Sequence, residues 1–159
     1  MLRFVRLRGS AESVARGLGV GAFAGMFPIF GFQTIVGILL AFLVRGNKFA
    51  AMAATWISNP LTYIPLYALN YHIGRRLLNA EPVQIGYQNI RDVSIILERG
   101  MDFAIALFIG SCITGVIMGT FAYLMGYRLS LRLKRYYQQR YRRRQQLSSL
   151  VKSYELDEV

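Results

Sequence analysis

The chain has 159 residues, 54% of them hydrophobic, with a formal charge of +11, a mean hydropathy of +0.34, one cysteine and one histidine. A lone cysteine, Cys112, excludes an intrachain disulfide framework, and a lone histidine, His72, leaves a histidine-based metal site without partners. The charges are segregated: Gly17 to Val44, Phe49 to Gly74 and Phe103 to Tyr127 carry none, which excludes an ordinary soluble domain and points to an all-α membrane protein, because a hydrocarbon core of ~30 Å is crossed by about 20 apolar residues in helix.

Residues 1–14 form a basic N-terminal segment with Arg3, Arg6 and Arg8, read as uncleaved because no small-x-small site closes a short apolar stretch. The integral membrane domain is expected over 15–128. Its first run is interrupted at Pro28, so two half-length helices joined by a turn from Pro28 to Gly31 are expected. At 1.5 Å per residue the first half reaches about 20 Å, less than a crossing, and both a re-entrant hairpin and a bent span satisfy that length. The second run repeats the plan, with Asn59-Pro60 as a turn and Pro65 as a further break. Paired interrupted segments are a pointer to a midplane site in transporters built of repeats.

From Asn79 to Asp102 the chain is polar, and Ile90, Val93, Ile96 and Leu97 recur at helical spacing, the pattern of a short interfacial amphipathic helix. The third run has no proline and reads as one long transmembrane helix continuing into a basic amphipathic helix over 129–147. Residues 148–159 turn acidic and are expected to be disordered. Arginine and lysine near span ends are retained on the cytoplasmic side, so the dense cluster after the third run assigns the C-terminus to the cytoplasm. The basic N-terminus and the pair Arg45 and Lys48 extend that assignment to the first gap, which makes the first broken segment the re-entrant one and the second the spanning one.

Gly17, Gly21 and Gly25 form one GxxxGxxxG ridge and Gly115 and Gly119 another, letting helices approach closely where lipid offers no hydrophobic gain. Packing within the chain and packing in a homodimer are both open. At the breaks, Gln33, Thr34, Asn59 and Thr62 are candidate polar contacts to a substrate, Trp56 and Tyr63 candidate aromatic walls, and Arg75 a candidate partner for an anionic headgroup. The same amides and hydroxyls can instead cap the half-helices. Half-helix N-termini after Pro28 and Pro60 would offer N–H groups to an anion. No carboxylate pair, Ser-His-Asp set or Cys-His set can be assembled within the apolar runs, so neither an enzyme nor a cofactor or metal is expected. Arg128, Arg132, Arg135 and Arg142 follow a span directly, where anionic lipid is the expected partner rather than nucleic acid.

The run P-I-F-G-F-Q at Pro28 to Gln33, then R-G-N at Arg45 to Asn47, T-W-I-S-N-P-L-T-Y-I-P-L-Y at Thr55 to Tyr67, H-I-G at His72 to Gly74 and F-I-G-S at Phe108 to Ser111 resembles the bacterial domain-of-unknown-function 2062 family, over Ala15 to about Arg144. The resemblance implies a small bacterial inner-membrane protein whose signature positions include Pro28, Gly31, Gln33, Asn47, Trp56, Asn59, Pro60, Thr62, Pro65 and Tyr67, and it implies no mechanism. More loosely, two proline-broken segments are similar in plan to the DedA membrane proteins implicated in translocating lipid carriers and phospholipids. The expectation is therefore a multi-pass inner-membrane protein that binds or translocates a small or lipid-linked substrate at its two breaks, as a homo-oligomer because three apolar runs can hardly enclose a pathway. The alternative is an accessory or scaffold protein of cell-envelope biogenesis that recruits other envelope proteins through its tail.

Overall fold

The first break is built by Gly31, whose φ of +81° suits a residue without Cβ, and by Pro28. In the computed structural model, which describes residues 10–29, 31–80 and 93–157, they separate α1 (Ala11–Gly25) from α2 (Phe32–Leu43). The Ser10 side chain caps α1 by accepting from Ser13 N–H at 3.1 Å. Asn47 does the same for α3 (Lys48–Thr55), accepting from Ala50 N–H at 3.0 Å. The second break, Trp56 to Thr62, leads into α4 (Tyr63–Leu77), and α5 (Val93–Asp157) completes an all-helical fold with no strand among the described residues.

Glycine contacts set the directions. Gly17 meets Asn47, Gly21 meets Ala51 and Gly25 meets Thr55, so numbers climb together and α1 runs parallel to α3. Gly37 of α2 touches Gly21 and Ala24 on one side and Thr55 on the other, which makes α1 and α2 an antiparallel hairpin with α3 against it. Against α5 the numbers run oppositely: Gly119 meets Gly19, Gly115 meets Phe23 and Gly126 meets Ala15, while Gly110 meets Asn70 and Gly74 meets Ala106. Both α1 and α4 are therefore antiparallel to α5, and α4 continues in the direction of α3. The start of α1, the α2–α3 loop and the Gly126 region of α5 gather at one end with Arg16, Arg45, Lys48 and Arg128; the end of α4 lies at the other. Asn47 N–H donates to Ser13 O at 2.7 Å, which ties the loop to α1.

The interior is made of small and polar residues. Ala15, Ala22, Ala24, Ala41 and Ala51 are buried, and the largest fully buried side chains are Asn70, Thr55 and Ser111. Large apolar side chains face outward, with Leu61 87% and Ile64 82% exposed beside Phe32, Phe42 and Phe49. Among the described residues one helix, Gly100–Arg140 within α5, is long and apolar enough to cross a membrane.

Three expectations change. Pro65 is no break: it occupies the first turn of α4, where a missing N–H removes no helical bond, and Leu66 N–H bonds Thr62 O at 3.0 Å without it. The interval assigned to a separate amphipathic helix divides, because Val93, Ile96 and Leu97 begin α5 while Ile90 lies outside the described residues. The helix also continues through 148–157, where an acidic disordered tail was expected; neither Pro nor Gly follows Gly126 to stop it. The N-terminal segment lies outside the described residues up to residue 9.

Candidate functional site

The two breaks meet. Tyr67 on α4 donates its hydroxyl to Phe27 O at 3.2 Å, and Asn70, wholly buried, donates from Nδ2 to Met26 O at 2.9 Å. Asn70 also donates to Ser111 Oγ at 3.0 Å and accepts from Thr114 Oγ1 at 2.7 Å, so one amide joins the end of α1, α4 and α5. Beside it, Phe23, Phe27 and Phe108 pack edge to face with centroids 5.1 and 5.4 Å apart.

Near this clamp lies a cleft of about 180 Å³ lined by Gln33 and Thr34 from the start of α2, Thr55 from the end of α3, Trp56, Ser58, Asn59 and Pro60 from the second break, and Tyr63 from the start of α4. Gln33 is 5% exposed. Its Nε2 donates to Ser58 Oγ at 3.1 Å and faces Ser58 O at 3.4 Å and Tyr63 Oη at 3.5 Å. A flipped amide would set Oε1 against the Ser58 carbonyl oxygen, and the Ser58 hydroxyl, which donates to Thr55 O, would offer it no proton, so these partners favour the orientation with Nε2 inward. Gln33 Oε1 is then buried with no partner, an arrangement that costs about 1–3 kcal/mol until a donor reaches it. The Thr55 hydroxyl donates to Met52 O at 2.7 Å, so the 3.2 Å contact between Thr34 and Thr55 hydroxyls has Thr34 as donor.

Asn59 and Thr62 are engaged in the turn itself. Asn59 Oδ1 accepts from Leu61 N–H at 2.9 Å and Thr62 N–H at 3.2 Å, while Thr62 Oγ1 accepts from Asn59 N–H at 2.9 Å and donates to Ile57 O at 2.8 Å. This is a reciprocal cap at the start of α4. Tyr63 N–H bonds Asn59 O, and Phe32 and Gln33 N–H groups both bond Ile29 O. These N–H groups at the starts of the two half-helices are thus taken by their own turns, which leaves fewer donors for an anion than expected. The open atom of the cleft is an acceptor, and its ligand must supply a donor.

Of the residues expected at the site, Gln33, Thr34, Trp56, Asn59 and Tyr63 come together, with Pro60 in the wall and Pro28 and Gly31 in the adjoining break. Thr62 is not among the residues lining the cleft. Arg75 does not join it, being twelve residues beyond Tyr63 on α4, or about 18 Å along the helix. The five ridge glycines all pack within the chain: Gly17, Gly21 and Gly25 on α3 and its flanks, Gly115 and Gly119 on α1. Arg128, Arg132 and Arg135 are exposed on α5, and Arg142 lies on the same helix. Among the described residues no three of His, Cys, Asp and Glu gather to hold a metal ion. The Asn70, Ser111 and Thr114 cluster was not anticipated as a unit; its signal was Ser111 and Thr114 one turn apart in an otherwise apolar run.

The class defined by these features is an all-helical protein with an apolar exterior, a small-residue interior and a polar junction between two broken helices. The chain belongs to the bacterial family described as "Uncharacterized protein conserved in bacteria (DUF2062)", whose model matches residues 1–143. No curated protein and no solved structure matches the chain.

Proposed function

We propose that this protein is integral to the bacterial inner membrane and binds, for translocation, a hydrogen-bond-donating group of a small or lipid-linked substrate in the Gln33 cleft. Membrane residence is supported by the inverted burial: Phe, Leu and Ile outside, Ala, Gly, Ser, Thr and Asn inside, as expected where lipid solvates the surface and close helix contact holds the bundle. Between Ala106, opposite Gly74, and Gly126, opposite Ala15, α5 rises about 30 Å, the thickness of a hydrocarbon core. In this reading α3–α4 and α5 cross, and the α1–α2 hairpin enters and returns on the basic, cytoplasmic face. The breaks then fall near mid-depth, where irregular backbone survives against protein or a polar cavity.

The observation that carries the binding reading is the unpartnered, buried Gln33 Oε1 in a cleft with hydroxyls and an exposed indole at its edge. The cleft is smaller than the ~300 Å³ at which drug-sized pockets begin, so it suits a ring or headgroup rather than a whole lipid. A hydroxyl, amine or amide N–H would satisfy Oε1, and Trp56 would stack on an attached ring. The test is mass spectrometry of molecules that co-purify with the protein in mild detergent, comparing wild type with Gln33→Leu and Thr34→Val. A species carried by wild type and lost from both variants, at equal accumulation in membranes, supports the reading. Identical cargo in all three would assign the breaks to packing and favour the accessory role.

A further inference from the structure

A second depression lies between α1 and α5, with Val44 at the end of α2 also in its wall. Its volume is about 410 Å³, and its walls are apolar: Gly19, Val20 and Phe23 from α1, Val116 and Gly119 from α5, with Tyr123 toward the basic end. Glycine at 19 and 119 leaves the floor without side chains. Thr120 makes no demand on a ligand, since its hydroxyl donates to Val116 O at 2.7 Å. The unmet polar atom is Arg16 Nε, buried without a hydrogen-bond partner on a half-buried side chain at the basic end of the groove. The one acidic residue before residue 81, Glu12, is exposed a turn earlier on α1.

We propose that this groove is a binding site for one anionic glycerophospholipid, with its phosphate on Arg16 and an acyl chain laid along Val20 and Phe23. Charge and shape agree: a cationic fork at the end where Arg45, Lys48 and Arg128 also lie, then an apolar trough running seven residues, or about 10 Å, toward mid-depth. A free phosphate would leave the trough empty, and a zwitterionic lipid would bring a second cation to Arg16. The inference rests on the membrane reading above and is independent of the Gln33 cleft.

Native mass spectrometry of the full chain in non-ionic detergent, titrated with phosphatidylglycerol, phosphatidylcholine or glycerol phosphate, tests it. The first phosphatidylglycerol should bind about tenfold more tightly than phosphatidylcholine, and glycerol phosphate should not be retained. Arg16→Gln should bring phosphatidylglycerol down to the phosphatidylcholine level, Arg16→Lys should recover part of the preference, and Val20→Trp should weaken both lipids by filling the trough. Equal binding of the two lipids by wild type, a preference that survives Arg16→Gln, or lipid uptake only after a dimer dissociates would each overturn it. If Arg16→Gln fails to fold, Val20→Trp still decides: unchanged phosphatidylglycerol binding sinks the proposal. Carbonate extraction of native membranes tests membrane residence separately, and cargo at the Gln33 cleft is scored on the same wild-type samples.

Discussion

Asn70 shows how much one side chain carries in a bundle whose interior is mostly small and polar. Its amide makes three hydrogen bonds, to a carbonyl at the end of α1 and to two hydroxyls of α5, across more than forty residues of sequence. Replacement by leucine keeps the volume but leaves Met26 O without its Asn70 donor in a buried site, a loss of about 1–3 kcal/mol. Asn70→Leu should therefore lower the thermal midpoint in detergent, whereas Asn70→Asp should be worse because it buries a charge. A midpoint unchanged by both variants would show that the clamp is incidental. Gln33 differs in kind, since it has one satisfied end and one open end. Gln33→Leu sacrifices the bond to Ser58 but also removes an orphaned acceptor, so the expected change in midpoint is less than about 1 kcal/mol in equivalent stability, smaller than at Asn70.

At the scale of helices, α1 is glycine-lined on two faces. Gly17, Gly21 and Gly25 bring α3 into backbone contact, and Gly19 does the same for α5. A Cβ on Gly21 would collide with the Ala51 backbone, which no rotamer can relieve, so Gly21→Val should abolish accumulation in membranes. Gly100, also helical, has open space around the same position, and Gly100→Ala should be neutral or stabilise by about 0.5–1 kcal/mol. Equal accumulation of the two variants would contradict the assigned contacts. The helix breaks at Pro28 and Asn59-Pro60 were legible in the sequence because proline and glycine act on their own backbone. Pro65 misled for a related reason: its effect depends on whether it falls inside or just at the start of a helix, and that boundary was set by the Asn59 cap. The glycine ridges were legible as ridges, but their partners were not, because spacing gives a face and says nothing of what covers it. Asn70 carries no local signal of its role, which comes from Met26 and Ser111, brought near only by the tertiary fold.

The arrangement of the whole molecule follows from two asymmetries that agree. Basic residues collect where α1 begins, α2 turns into α3 and α5 leaves the bundle, whereas the sequence from Arg75 to Asp102 balances four bases against four acids. Positive charge is retained in the cytoplasm, so the proposed membrane reading puts the first end there. In the membrane reading proposed above, the parallel relation of α1 to α3, with α4 carrying on in the same direction, corresponds to two crossings and one returning hairpin. Single cysteines in a Cys112→Ser background, probed with a membrane-impermeant thiol reagent in right-side-out and inverted vesicles, test this directly. Lys48 and Gln146 positions should label in inverted vesicles alone, and the Asn79 position in right-side-out vesicles alone. Labelling of Asn79 from the same side as Lys48 would mean that α3 and α4 do not cross, and the hairpin assignment would fall with it. Gly31 and Asn59 positions bear on the cleft rather than the topology: reaction at either, half a bilayer from water, requires a hydrated path to Gln33, and reaction at neither closes the cleft to anything but a group arriving from the lipid side.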